Sequence, residues 1–230
     1  MMDSYAKDIL LKDICGQGVE FEISEYYDDS IGGFRYRLDI SGVGEIYDYN
    51  EPTKRPWDYL NCEICKVSIS DGIQRLGNKV FSCLFSLSNI KFPSTLKSIG
   101  CKAFLGTGIK KLIIPDNIID IGSQAFFNCT DLNEVIVGNG ITQIAFYTFA
   151  KCKALQIVSI GKNVSCIDKG AFKECLNIQS FKCASKIPPI VKDDALPKQE
   201  QRFILYVPIE SIADYKKNEV WCQYDIKGLD

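Results

Sequence analysis

Residues 118–181 read "IIDIGSQAFFNCTDLNEVIVGNGITQIAFYTFAKCKALQIVSIGKNVSCIDKGAFKECLNIQSF", and an Ile, then an Ala-Phe or Thr-Phe, then a Cys return in them three times at a fixed interval. A single globular core needs no fixed interval. A stack of like coils does, because each coil must bury its apolar side against the next.

Carried outward, the register gives five units, at 67–89, 90–111, 112–134, 135–157 and 158–180, with a sixth start at Phe181. Four have 23 residues and the second has 22, one short near Gly106. The first half of each unit alternates with period two, as in Val135-Ile136-Val137, and predicts a short strand with one buried face. The second half, from the Ile or Leu through the Phe to the Cys, is spaced nearer to a helical turn. A strand followed by a tight coil, repeated in the low twenties, is the pattern of a leucine-rich-repeat solenoid.

Three internal ladders follow, with equivalent side chains about 4.7–4.9 Å apart. One is Leu76, Ile99, Ile121, Ile144 and Ile167. The second is Phe81, Phe104, Phe126, Phe149 and Phe172. The third is Cys129, Cys152 and Cys175, with Leu84 at that place in the first unit. Gly77, Gly100 and Gly122 follow the Ile or Leu, where a tight bend favours Gly; Ala145 and Asp168 stand there in later units.

At these residues the chain resembles the BspA-type, or Treponema pallidum-type, leucine-rich repeats. Their unit runs from an apolar strand through Pro or Gly to I-G-x-x-A-F-x-x-C-x-x-L, and "IPDNIIDIGSQAFFNCTDL" (114–132) matches almost throughout. "LDISGVGEIYDYNEPTKRPWDY" (38–59) is similar to the segment that precedes such arrays, and "LYVPIESIADYKKNEVWCQY" (205–224) to the one that closes them. The resemblance implies an α/β-type solenoid: a right-handed arc of about six coils with a parallel concave β-sheet, a β-rich N-terminal cap and a mixed C-terminal cap. It also implies non-enzymatic protein recognition, since many relatives are surface adhesins and protein-binding modules.

The caps have their own signals. Residues 19–23 ("VEFEI") and 34–40 ("FRYRLDI") alternate around a turn-forming stretch and predict a hairpin, with Trp57 sealing the first coil. "KIPPIVKDDALPKQEQ" breaks the period, "RFILYVP" reads as a strand, and "IESIADYKKNE" has near-helical apolar spacing. The expected division is an N-terminal cap at 1–60, repeats at 61–185 and a C-terminal cap at 186–230.

Composition narrows the chemistry. The 27 basic and 29 acidic residues give a net charge of −2, against the basic excess that non-specific nucleic-acid binding needs. The chain contains no His, which removes Ser-His-Asp and Cys-His nucleophilic pairs and imidazole acid–base work. No cofactor is expected. "CEIC" (62–65) has a metal-ligand spacing but lacks a second pair or a His, and the strand register turns Ile64 inward and Cys65 outward. With no basic n-region, no long apolar run and eleven cysteines read as small buried hydrophobes, the expected location is the cytoplasm. The alternative is a secreted or cell-surface adhesin binding host matrix protein or glycan, and a hydrolase is the remote one.

Every predicted strand leaves one face outward. The first outward column is Lys66, Asn89, Lys111, Glu134, Ile157 and Ser180; the middle one is Ser68, Lys91, Ile113, Ile136, Ser159 and Lys182. Ile113 and Ile136 are neighbours on a face that should be wet, with Ile157 diagonal and Lys91, Lys111 and Glu134 around them. An apolar centre with a charged rim is how protein interfaces are organised. Burying each Ile would contribute roughly 1.5–3 kcal/mol before the costs of association. The expected partner-binding face is therefore Lys91, Lys111, Ile113, Glu134, Ile136, Ile157, Ser159 and Lys182. A protein occupies it, or a second copy of the chain. The plainer account is that β-branched residues simply suit strands.

Overall fold

The structure, a computed structural model, describes residues 9–50, 54–197 and 203–229. The first eight residues of the stretch read for an export signal, and residues 51–53 of the cap-like segment, lie outside these. Three strands open the chain: β1 (Ile9–Gly16), β2 (Val19–Asp28) and β3 (Gly33–Gly42). The remaining strands are short: β4 (Gly44–Glu45), β5 (Ile64–Ile69), β6 (Ile73–Leu76), β7 (Ser98–Ile99), β8 (Lys111–Ile114), β9 (Asp120–Ile121), β10 (Glu134–Val137), β11 (Gln143–Ile144), β12 (Ile157–Ile160), β13 (Cys166–Ile167), β14 (Ser180–Cys183) and β15 (Ile190–Val191). They are followed by β16 (Ile204–Pro208), the helix α1 (Ile212–Lys217) and β17 (Asp225–Leu229).

The chain is a β-solenoid of about seven turns. One side carries a six-stranded sheet, β17-β16-β14-β12-β10-β8, in which all neighbours run parallel. Short strands at the Ile position form two further sheets, β4-β6-β7-β9 and β11-β13-β15. At the N-terminal end β1, β2 and β3 are antiparallel, and β3 then pairs in parallel with β5.

The interior is the predicted set of ladders. The five phenylalanines are all fully buried, with successive ring centroids 5.2, 5.2, 5.6 and 5.4 Å apart. Each Cys thiol of the ladder donates to the carbonyl of the preceding coil's Phe: Cys129 to Phe104 at 3.2 Å, Cys152 to Phe126 at 3.3 Å and Cys175 to Phe149 at 3.0 Å. Thr107 holds the Cys place in the shortened second unit, and its hydroxyl donates to Phe104 O at 3.0 Å. At the ends, Trp57 lies over Phe81 with its indole N–H on Val80 O, and Trp221 packs beside Phe181 with its N–H on Pro189 O.

The α/β expectation is corrected by the returning side of the coils, where the helical spacing produces no helix. The residues two before and two after each Phe take positive φ, such as Gln124 (60°) and Asn128 (59°) around Phe126. The N–H groups of Gln124, Phe126 and Asn128 all donate to the next coil, to Phe146, Thr148 and Ala150 carbonyls at 2.8–3.0 Å. A helix would spend those donors within its own turn. Left-handed backbone costs about 1–2 kcal/mol per non-Gly residue, and bonds to the neighbouring coil offset it. Among the described residues the only α-helix is α1, six residues long.

Two further details differ from the sequence reading. Gly77, Gly100 and Gly122 have no positive φ; a Cβ there would strike the coil below, 2.6 Å from Gly77 C for Gly100 and 2.6 Å from Cys101 N for Gly122. Close approach, and not a bend, requires them. Past residue 185 the coil pattern continues through the prolines: Val191 pairs with Ile167, and Phe172 N–H donates to Ala195 O at 2.8 Å, as Phe149 N–H does to Ala171.

Candidate functional site

The six-stranded sheet aligns the outward side chains in register. Lys111, Glu134, Ile157 and Ser180 form one row, which continues to Ile204 and Asp225; Ile113, Ile136, Ser159 and Lys182 form the next, which continues to Tyr206 and Lys227. Alternation turns Leu112, Ile114, Val135 and Val137 into the core, and that fixes which residues face out.

Ile113 stands 53% exposed at the edge of this row, and Ile136 and Ile157 are half-buried by their neighbours. Lys111 Nζ lies 2.7 Å from Glu134 Oε2, bridging two coils beside Ile113 and Ile136. Ser159 is half-buried and Lys182 exposed. Seven of the eight expected residues therefore share one surface. Lys91 is the exception. Residues 88–93 form no strand, and β5 pairs with β3 instead, Lys66 facing Arg37 and Ser68 facing Asp39. The outward rows thus begin at β8, with Lys91 exposed beside them. Tyr206 and Lys227 extend the middle row but belong to segments outside the repeat, where no period gives their register.

The rest of the chain offers little chemistry. Ile64 is buried and Cys65 half-buried, as the strand register predicts, and Cys65 Sγ sits 2.8 Å from Tyr26 OH. Burial and that contact push the Tyr26 phenol up. Burial likewise pushes the Cys15 thiol up to about 12 and holds that of Cys152 well above its ordinary value. Among the described residues no group of three or more Cys, Asp or Glu is placed to hold a metal ion, and no helix is long and apolar enough to cross a membrane.

Six copies of the BspA type leucine-rich repeat region match residues 58–179, and the chain belongs to that family. Membership points to a protein-interaction module, and such repeat proteins are typically not enzymes. Similar solved structures include a leucine-rich repeat protein from Eubacterium ventriosum, 12% identical over 95% of this chain and 84% of that one (TM-score 0.36). Another comes from Bacteroides ovatus, 17% identical over 80% of this chain and 69% of that one (TM-score 0.43). The leucine-rich repeat protein of T. pallidum is 18% identical over 56% of this chain and 80% of its own (TM-score 0.38). No curated protein matches the chain.

Proposed function

We propose that the chain is a non-enzymatic recognition module whose outward, concave sheet face docks a protein partner. The repeats are its binding body, with the coil pattern running on past residue 185, and the flanking segments cover its ends. The observation that carries this is Ile113, more than half exposed on a regular sheet and adjoined by Ile136, with the Lys111–Glu134 pair beside them. Apolar contact supplies affinity there, and the charged residues around it select orientation.

Immobilised protein is challenged with lysate of its native cells, comparing the wild type with an Ile113→Asp/Ile136→Asp variant. Ile119→Asp is the control, because Ile119 is 62% exposed away from the six-stranded sheet. Proteins retained by the wild type and the control but lost from the double variant support the face. A double variant that melts normally and keeps the same bound set refutes it.

A further inference from the structure

The sheet face is interrupted between β5 and β8. Residues 88–92 run between them, with Ile90 buried and Phe92 set edge-on to Phe104 at 5.8 Å, yet they join neither strand in a ladder. Hydrogen bonds tie the chain to β8's coil on either side of this stretch. At one end Lys110 N–H donates to Ser88 O at 3.1 Å; at the other the Asn117 side-chain amide donates to Pro93 O at 3.3 Å and Leu96 O at 2.7 Å. Between these closures lies a groove of about 570 Å³ beside β8, within the roughly 300–1,000 Å³ of ordinary ligand pockets. Its outer side carries Lys91, Lys110 and Lys111, its floor includes Phe92 and Ile90, and no carboxylate lines it. Lys111 is held by Glu134, whereas Lys91 and Lys110 have no carboxylate within 4 Å among the described residues.

An edge strand left without a ladder presents backbone donors and acceptors to whatever extended chain can reach them. β8 is such an edge, since among the described residues β10 is its only ladder partner. We infer that this groove takes a short, extended, acidic strand of a partner protein. About four residues pair with β8, which at 3.3 Å per residue spans roughly 13 Å. Alternate side chains of that strand point down onto Phe92 and Ile90, and the others point out beside the lysines. The charge argument is local: the chain as a whole is net −2, and of the three lysines that line this groove Glu134 pairs one, leaving Lys91 and Lys110 to face an incoming acidic strand. The inference rests on the docking face proposed above and names the chemistry of what enters it.

The probe is an acetylated, amidated eight-residue peptide of alternating Glu and Val, titrated into the full chain by calorimetry at low salt. Two controls accompany it: alternating Lys and Val, and the Glu/Val peptide with every second amide N-methylated. Expected are saturable binding of the Glu/Val peptide alone, amide-exchange protection of β8 and residues 89–92, and a loss of about tenfold in the Lys91→Glu/Lys110→Glu variant that shrinks with added salt. Both lysines are exposed, so the variant folds. No saturable binding, equal binding of the N-methylated peptide, or protection elsewhere overturns the inference. Ile136 does not line the groove, which separates the two readings. Partner capture abolished by Ile136→Asp, with no Glu/Val binding, sinks this inference alone. Glu/Val binding at β8, with capture indifferent to Ile113 and Ile136, sinks the broader docking face and leaves the groove.

Discussion

Phe126→Ala tests the physics of the stack most directly. Phe126 is fully buried and lies face to face with Phe104 at 5.2 Å and Phe149 at 5.6 Å. Truncating such a ring costs about 3–5 kcal/mol in lost transfer energy and residual cavity, out of a total of roughly 5–15 kcal/mol for a folded domain. Phe126→Leu keeps most of the volume and forfeits the two stacked contacts, for about 1–3 kcal/mol. The two tryptophans make the effect readable from each end. Trp57 caps the row beside Phe81, Trp221 closes the far side beside Phe181, and both are fully buried. Urea unfolding is followed by fluorescence in Trp57→Phe and Trp221→Phe backgrounds. Each coil touches only its neighbours, so weakening the middle uncouples the ends. The alanine variant is expected to lower the midpoint by more than about 1 M and to separate the Trp57 and Trp221 transitions. A loss under about 1 kcal/mol refutes the packed row, and coincident transitions refute nearest-neighbour coupling.

Gly122→Ala places a Cβ 2.6 Å from a backbone nitrogen of the coil below, so it should cost more than about 2 kcal/mol, and a melting temperature within a degree of wild type would contradict that. With a colorimetric thiol reagent at pH 8, the exposed Cys62, Cys101 and Cys222 react first, and Cys152, held protonated by burial, reacts only on unfolding; fast modification of Cys152 in native protein would show an open interior. The backbone N–H and side-chain amide of Asn139 hold the Asp116 carboxyl below its ordinary value. A depressed folded pKa contributes stability in full above the unfolded value near pH 4 and loses it as pH falls through the folded one. Asp116→Asn should therefore flatten the melting temperature's pH dependence between about pH 5 and 2, and an unchanged profile would remove Asp116 from it.

The parts legible in the sequence are those a period enforces. Leu76, Phe126 and Cys152 recur because each packs on its own counterpart, so their interior placement follows from spacing alone, and the outward rows from Lys111 to Lys182 follow by alternation. The return path was hidden because its turns rely on context. Gln124 and Asn128 at positive φ are stabilised by the coil above, and only Gly106 and Gly170 mark those positions in the usual way. β1 was illegible for a different reason: Ile9, Leu10 and Ile14 are all more than half exposed while Leu11 and Cys15 pack inward, so its apolar residues follow no alternation.

The interrupted ladder also has a residue-level cause, at the second inward position of each strand. β8, β10, β12 and β14 put Ile114, Val137, Ile160 and Cys183 there, all buried, whereas residues 88–92 put Phe92, only partly buried and set edge-on against Phe104. A ring needs more depth than a β-branched side chain, and Phe104 already fills the core beneath it. The following Pro93 has no N–H to draw the backbone back into line. Pro115 ends β8 in the same way without breaking it, so proline alone is not sufficient. The residue that spoils the repeat is therefore the one that opens the groove: it withholds a ladder from β8 and floors the space left beside it.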